Sequence, residues 1–227
     1  NRGIMKRIQI SQLNKDFSGF DGQIVKVCGW ARTIRDSKNI AFIELNDGSF
    51  KGCQIILEKD KIENFGEVVK QLTGTSFEIE GKVVLTPNAK QPFEINADKV
   101  IIAGQCQSDY PMQKKGHTLE FMREHADLRP RTNTFNAVFR IRSTAAFAIH
   151  KFFNEKGFVY VNTPIITASD CEGAGSMFQV TTLDLDKVAS SGKVDYSKDF
   201  FGRKVFMTVS GQIDEEPITH AFCNTYT

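Results

Sequence analysis

Ile24-Val25-Lys26-Val27-Cys28-Gly29-Trp30 alternates apolar and polar residues directly after the turn-forming pair Asp21-Gly22. That period of two marks a strand with one covered face. Ala41–Leu45 (AFIEL) follows, closed by Asn46-Asp47-Gly48, and then Gly52–Leu57 (GCQIIL), which together predict a hairpin. Ile62, Phe65, Val68, Val69 and Leu72 recur at helical spacing. Two further strand-like runs, Ser76–Leu85 and Phe93–Ile102, are parted by the breaker Pro87-Asn88. Three strands, a helix and two strands is the order of a five-stranded OB barrel, whose face around the second and third strands commonly binds oligonucleotides. Another small mixed β-barrel would satisfy the same pattern.

Working outward, Met5 reads as a natural start behind a short extension, and residues 105–134 read as a connector. Tyr110-Pro111, Lys114-Lys115-Gly116 and Leu128-Arg129-Pro130-Arg131 punctuate that connector and give it a basic surplus. Phe135–Lys156 predicts a helix with an apolar face of Val138, Ile141, Ala145, Phe147, Ala148 and Phe152. It stops at Lys156-Gly157, a cationic last turn followed by a residue suited to a left-handed cap. Strands are expected at Phe158–Asn162, Met177–Leu183 and Lys204–Val209, with Ala189–Lys198 as a flexible polar insertion.

Composition narrows the chemistry. With 41% hydrophobic and 25% charged residues in 227, the chain has the make-up of a soluble globular protein of one or two domains. Its apolar runs are strand-length, so no membrane span is expected. A net charge of +2 is too small for a protein that coats nucleic acid indiscriminately, so any RNA contact must rest on placed residues. The basic surplus alone also fits ordinary solvation. Cys28, Cys53, Cys106, Cys171 and Cys223 are an odd number without a CxxC pair, which argues for reduced thiols in a cytoplasmic setting. His117, His125, His150 and His220 share no ligand spacing, so no metal site is expected. Neither a P-loop nor a Rossmann glycine pattern occurs.

Taken together, these segments resemble the asparaginyl-tRNA synthetases of class II. Gly29–Gly48 (GWARTIRDSKNIAFIELNDG) is similar to that family's anticodon-binding barrel. Lys115–His125 (KGHTLEFMREH) with Leu128–Arg131 resembles its hinge, and Lys156-Gly157-Phe158 through Pro164-Ile165-Ile166 its motif 1. Glu172-Gly173-Ala174-Gly175 and Thr208–Gln212 (TVSGQ) resemble its amino-acid pocket. The aspartyl and lysyl relatives usually carry Ser-Pro-Gln where this chain has Ser210-Gly211-Gln212, which favours asparagine. The resemblance implies an α+β chain: an OB-fold anticodon-binding domain over 5–104, a hinge over 105–134, and over 135–227 the first part of an antiparallel class II catalytic domain.

It also implies roles. Phe42 would stack on, and Gln54 would read, the central uracil of an anticodon, and Arg35 would hold a phosphate or base edge. By residue type alone, Phe42 on a barrel strand would be a core residue. Glu172 would grip the α-ammonium of asparagine, with Ser210, Gln212 and Glu216 lining the same pocket. Without the resemblance, Glu172 is a solvated loop acid. ATP and Mg²⁺ would be co-substrates, and residues 135–166 would pair two copies as a homodimer. Family members carry motifs 2 and 3, with their ATP-clamping arginines, beyond the Ser-Gly-Gln element, and a chain ending at Thr227 is expected to stop before them and to be inactive alone. Ser176 stands where an acid is common. Pro217 is expected to break the helix after Gln212, which puts the Glu216 role in question. Two other readings remain at this point: a non-catalytic anticodon-binding and dimerisation module, and a paralogue that makes asparagine on a class II scaffold, whose relatives lack the barrel.

Overall fold

A short helix, α1 (Ile10–Lys15), leads into a 14-residue strand, β1 (Ile24–Ser37), in the computed structural model of the chain. Residues 5–170, 173 and 176–227 are described. Strands β2 (Ile40–Asn46) and β3 (Cys53–Glu58), helix α2 (Phe65–Val68), and strands β4 (Ser76–Leu85) and β5 (Phe93–Gly104) follow. The strands close a barrel in the order β1-β2-β3-β5-β4, which is the five-stranded OB arrangement that the strand–helix–strand order predicts.

β1 is twice the length of the alternating run because it serves two neighbours. Ile24–Trp30 pairs antiparallel with β4, and Trp30–Ser37 pairs with β2 across a register shift between Ala31 and Thr33. At the crossing, a Cβ on Gly29 would run into the Asn46 carbonyl, so only glycine fits that close approach. The closure between β3 and β5 is parallel, Ile55 opposite Ile95. Inside, Ala41, Ile43 and Leu45 of β2 meet Ile55 and Leu57 of β3 and Phe77, Ile79 and Val83 of β4, all essentially without solvent contact. Phe65 and Val68 of α2 join that core.

The sequence reading missed α1. Its Ile10 and Leu13 are fully buried, and the Asn46-Asp47-Gly48 turn holds its start. Asp47 Oδ2 accepts the Ile10 N–H at 2.9 Å and Ser49 Oγ accepts the Ser11 N–H at 2.9 Å, satisfying donors that a helix N-terminus leaves free. Helix α3 (Leu119–Glu124) is capped by the Thr118 hydroxyl, and a 3₁₀ turn, Arg129–Arg131, ends the connector.

The chain divides into two compact units, Asn1–Arg140 and Ile141–Thr227. Helix α4 (Asn133–Glu155) bridges the division in sequence and stops at Gly157, which takes the expected left-handed conformation at φ +79°. The second unit is built from short pieces. Strands β6 (Val159–Tyr160), β7 (Ile166–Thr167) and β8 (Gln179–Val180), helix α5 (Leu185–Ser191), strand β9 (Val205–Met207), helix α6 (Gln212–Phe222) and strand β10 (Thr225–Tyr226) complete the chain. β7-β9-β8 form an antiparallel sheet, and β10 pairs parallel with β6. Tyr226 stacks on Phe153 at 4.5 Å between ring centres, and its hydroxyl lies 2.8 Å from His150 Nδ1.

Two expectations for this unit are corrected. Ala189–Lys198 is not a flexible insertion: α5 reaches Ser191, with Asp184 capping its start and Gly192 left-handed at its end, and a 3₁₀ turn spans Tyr196–Lys198. Pro217 does not break α6, which runs through it. At this depth the proline removes the N–H that would reach the Ile213 carbonyl and crowds that carbonyl with its ring, a cost of about 3 kcal/mol that the helix carries without a break.

Asp199 was not singled out in the sequence, yet it ties the segment after β8 to the turn before β9. Its carboxylate accepts from the Thr182 N–H at 2.8 Å, the Thr181 and Thr182 hydroxyls at 2.7 and 2.9 Å, and the Phe200 N–H at 2.8 Å. Those donors, the Thr182 N–H foremost, hold its carboxyl down at about 2. The folded value lies below the ordinary one, so this stabilisation is complete above about pH 4 and lost as pH falls towards 2. Asp199→Asn is therefore expected to speed hydrogen exchange at the Thr182 and Phe200 amides at neutral pH and to abolish its acid dependence in that window. Unchanged exchange would show that the carboxylate does not hold the loop.

Among the described residues, no helix is long and apolar enough to cross a membrane, and no three His, Cys, Asp or Glu side chains are grouped to hold a metal ion. Cys28, Cys53, Cys106 and Cys223 are free thiols; burial pushes Cys53 up to about 12, so it is chemically inert at neutral pH. Cys171 lies outside the described residues.

Candidate nucleic-acid interface

The alternation of β2 and β3 decides which side chains leave the barrel. Ala41, Ile43 and Leu45 point inward, so Phe42 and Glu44 point outward; Cys53, Ile55 and Leu57 point inward, so Gln54 and Ile56 point outward. Phe42 is thus not a core residue but half-buried on the outer face. Register brings the expected residues together. Arg35 on β1 lies opposite Phe42, and Glu44 lies opposite Gln54. The Arg35 guanidinium sits 5.3 Å from the centre of the Phe42 ring, and its Nη2 donates to Gln54 Oε1 at 3.4 Å. All three sequence-expected residues of the barrel therefore form one cluster.

Beside them a shallow recess of about 350 Å³ is lined by Thr33, Arg35, Glu44, Gln54, Gln91 and Lys114. Two residues there were not anticipated. Glu94 Oε1 accepts from Gln54 Nε2 at 2.7 Å and from Gln91 Nε2 at 2.8 Å. A second recess of about 500 Å³ lies where the connector meets the barrel, with Trp30, Arg32, Tyr110, Lys114, His117 and Arg131 in its wall. Arg131 sits 4.8 Å from the Trp30 ring centre and donates to the Tyr110 hydroxyl at 3.3 Å. Half-buried aromatic rings beside guanidinium and ammonium groups offer what an unpaired nucleotide needs: a surface to stack on and charge for its phosphate.

The expected amino-acid pocket is placed in part. Glu172 lies outside the described residues. The Ser210 hydroxyl accepts the Gln212 N–H at 3.1 Å, one residue ahead of the Gly211 N-cap of α6. Gln212 and Glu216 are exposed on α6, four residues apart and so on one face of it. The neighbouring Glu215 is turned instead to Thr225, whose hydroxyl it accepts at 2.9 Å.

Comparison with known proteins agrees with this layout. Residues 25–103 match the model of the OB-fold nucleic-acid-binding domain, and residues 117–213 match that of the class II tRNA synthetases for D, K and N. The asparagine–tRNA ligase of Clostridium kluyveri is 56% identical over 226 residues, covering 98% of this chain and 49% of that protein. That of Clostridium acetobutylicum is 55% identical over 226 residues, with the same two coverages. Over nearly its whole length the chain is similar to these asparagine–tRNA ligases.

It spans about half the length of the curated relatives it matches. Among solved structures, the asparaginyl-tRNA synthetase of Pyrococcus horikoshii complexed with asparaginyl-adenylate superposes with a TM-score of 0.78 at 18% identity, over 96% of this chain and 46% of that one. The asparaginyl-tRNA synthetase of Entamoeba histolytica gives 0.73 at 20% identity, again over 96% and 46%. At such identities the likeness is one of fold. Trp30, Gln91 and Glu94 extend the outer face of the barrel beyond the residues the sequence pointed to. Trp30 had a signal, as the chain's single tryptophan on an alternating strand. Glu94 had none, because nothing local ties it to a glutamine 40 positions earlier.

Proposed function

We propose that the outer barrel face reads the central uracil of a tRNA anticodon, and that this chain is the anticodon-reading and substrate-entry half of an asparagine–tRNA ligase. The supporting observation is the cluster itself: an outward phenylalanine on the second strand and an outward glutamine on the third strand of an OB barrel, both touched by an arginine of the first. Phe42 supplies the stacking face. Gln54 offers one donor and one acceptor to the Watson–Crick edge of the base. Arg35, exposed and seated on the ring, either carries the base on its own plane or moves aside to a phosphate.

In the whole enzyme, the asparagine carboxylate attacks the ATP α-phosphate and releases pyrophosphate, and the terminal ribose hydroxyl of the tRNA then takes the aminoacyl group from the adenylate. Positioning and charge neutralisation carry such chemistry. In this reading Glu172 binds the α-ammonium, Ser210 and Gln212 line the same pocket, and Glu216 serves the side-chain amide. Mg²⁺ and ATP neutralise and supply phosphate charge in that reaction, but the described residues group no set of ligands for the ion, so no step is assigned to a metal held here.

The experiment is equilibrium binding of the chain to hairpin RNAs whose loops differ only at the central base. A uracil loop is expected to bind tightest; an adenine loop bound equally well would refute the reading.

The homodimer belongs to the same proposal. Ile141 and Phe152 of α4, eleven residues apart and so on one side of the helix, are 67% and 57% exposed, uncovered apolar surface of the kind that pairs. Phe153 is not part of it, being packed on Tyr226 and Phe158. Sedimentation over a range of concentrations is expected to reveal association that Phe152→Glu weakens by placing a charge in the interface. A parent chain that stays monomeric throughout would contradict it.

A further inference from the structure

An indole ring with a guanidinium lying on it is a stacking surface already in use. Trp30 is fixed at the corner of the barrel, its backbone paired with Asn46 of β2 and with Ser76 of β4. The turn at Gly48 packs against its ring, so that a Cβ there would stand 3.4 Å from Cη2. The group covering it is held less firmly. Arg131 is exposed, sits 4.8 Å from the ring centre and donates one hydrogen bond, at 3.3 Å, to the Tyr110 hydroxyl. No ion pair among the described residues involves it. Tyr110 itself is wedged against Gly74, where a Cβ would come within 2.9 Å of its ring. The ring is therefore a rigid floor and the guanidinium a movable planar cover, whose place another flat group can take.

The recess of about 500 Å³ that Trp30 walls is also strongly one-signed. Arg32, Lys114, Lys115 and Arg131 line it against a single carboxylate, Glu44. Arg32 donates to the Asn133 side chain, while neither Lys114 nor Lys115 takes part in an ion pair among the described residues. Unmatched cations around a concave site attract an anion. We propose that this recess binds a nucleoside phosphate. The base stacks on Trp30 in place of the guanidinium, and the released Arg131 closes on the phosphate together with Lys114 and Lys115. An inorganic anion would leave the indole covered, and an uncharged aromatic would leave the cations unmatched; a nucleoside phosphate satisfies both. Arg131 gives up a contact with a ring and gains a charge-assisted fork on phosphate, which favours the exchange. The site does not select a base, because every base offers a π face. It is separate from the reading of uracil at Phe42 and does not depend on it. Thr33, Glu44 and Lys114 line both this recess and the smaller one beside Gln54, so the occupant has two sources: a free nucleotide, or a further nucleotide of a bound RNA.

The test titrates the full chain with adenosine monophosphate, with inorganic phosphate and with adenosine, and reads the emission of Trp30, its only tryptophan. Adenosine monophosphate is expected to quench that emission saturably, with an affinity at least about tenfold above that of either half alone. Lys114→Ala combined with Lys115→Ala should weaken it by about tenfold and leave the melting of the chain unchanged, both side chains being exposed. Arg131→Ala should change the emission of the free chain, as the ring loses its cover, and weaken the nucleotide by at least about fivefold. The lysine pair covers the case in which Arg131→Ala loosens the connector. If Arg131 is only a clamp between connector and barrel, its loss lowers the melting temperature and the emission of the parent ignores the nucleotide; that result overturns the assignment. Quenching by phosphate alone with equal affinity, or a nucleotide affinity that neither variant alters, overturns it too. Phe42→Ala should leave this titration as it is, and a response lost in that variant would move the nucleotide to the Phe42 face and overturn the site at Trp30. Hairpin RNA added to the nucleotide-loaded chain separates the two sources. Displacement identifies a nucleotide of the RNA as the occupant, simultaneous binding a free one, and either result supports the proposal.

Discussion

Alanine in place of Phe42 is expected to weaken binding of a uracil-loop hairpin by about 1–3 kcal/mol, roughly five- to 150-fold in Kd, the usual worth of one base–aromatic stack. The ring is outward and only half-buried, so its loss should scarcely touch the melting of the barrel. Phe42→Trp, which keeps a stacking surface, should retain most of the affinity. Arg35 loses its seat on the ring in the alanine variant, so part of the loss should appear as a weaker dependence on salt. An alanine variant that binds like the parent would remove Phe42 from the interface.

The second large effect is the mirror image of the first. Phe77 lies on β4 of the same barrel but points inward, with 1% of its surface exposed. Phe77→Ala should cost about 3–5 kcal/mol of stability, from lost burial together with the cavity left behind. Denaturant titration followed by fluorescence reads this directly, because the chain's single tryptophan, Trp30, lies on β1 of the barrel. At a denaturant concentration where the variant is still folded, its affinity for the hairpin should match the parent's. A cost below about 1 kcal/mol would mean that the barrel interior is not packed as described.

These two phenylalanines also show what a sequence can reveal about a site. Residue type alone puts Phe42 in a core. The pentapeptide Ala41-Phe42-Ile43-Glu44-Leu45 contradicts that, because Glu44 marks the outward side and Phe42 shares its parity on a period-two strand. The five barrel strands were legible for the same reason: each sets a buried row against a solvated one over at least six residues. Where that contrast fails, the sequence is silent. The second half of β1 was hidden because the register shift after Ala31 interrupts the alternation. α1 has only six residues, too few for periodicity to stand out, and its cap comes from Asp47 and Ser49, almost 40 positions away. In the second unit the strands are two or three residues long, so their place is set by partners and not by their own pattern. Asp199 and Glu94 were invisible for a related reason. A carboxylate's role depends on the donors that tertiary structure brings to it, and each of the two takes donors from a distant segment as well as from a near neighbour.

The proposed interface reduces to one contact, that of the central uracil with the outer face of the barrel at Phe42. Nuclear Overhauser measurements on the chain bound to a uracil-loop hairpin read it most directly. The expected result is a set of intermolecular effects between the H5 and H6 protons of that uracil and the Phe42 ring, with the Gln54 side-chain amide protons shifted in the same complex. Uracil contacts that fall elsewhere on the protein, with the Phe42 and Gln54 signals unmoved, would contradict it.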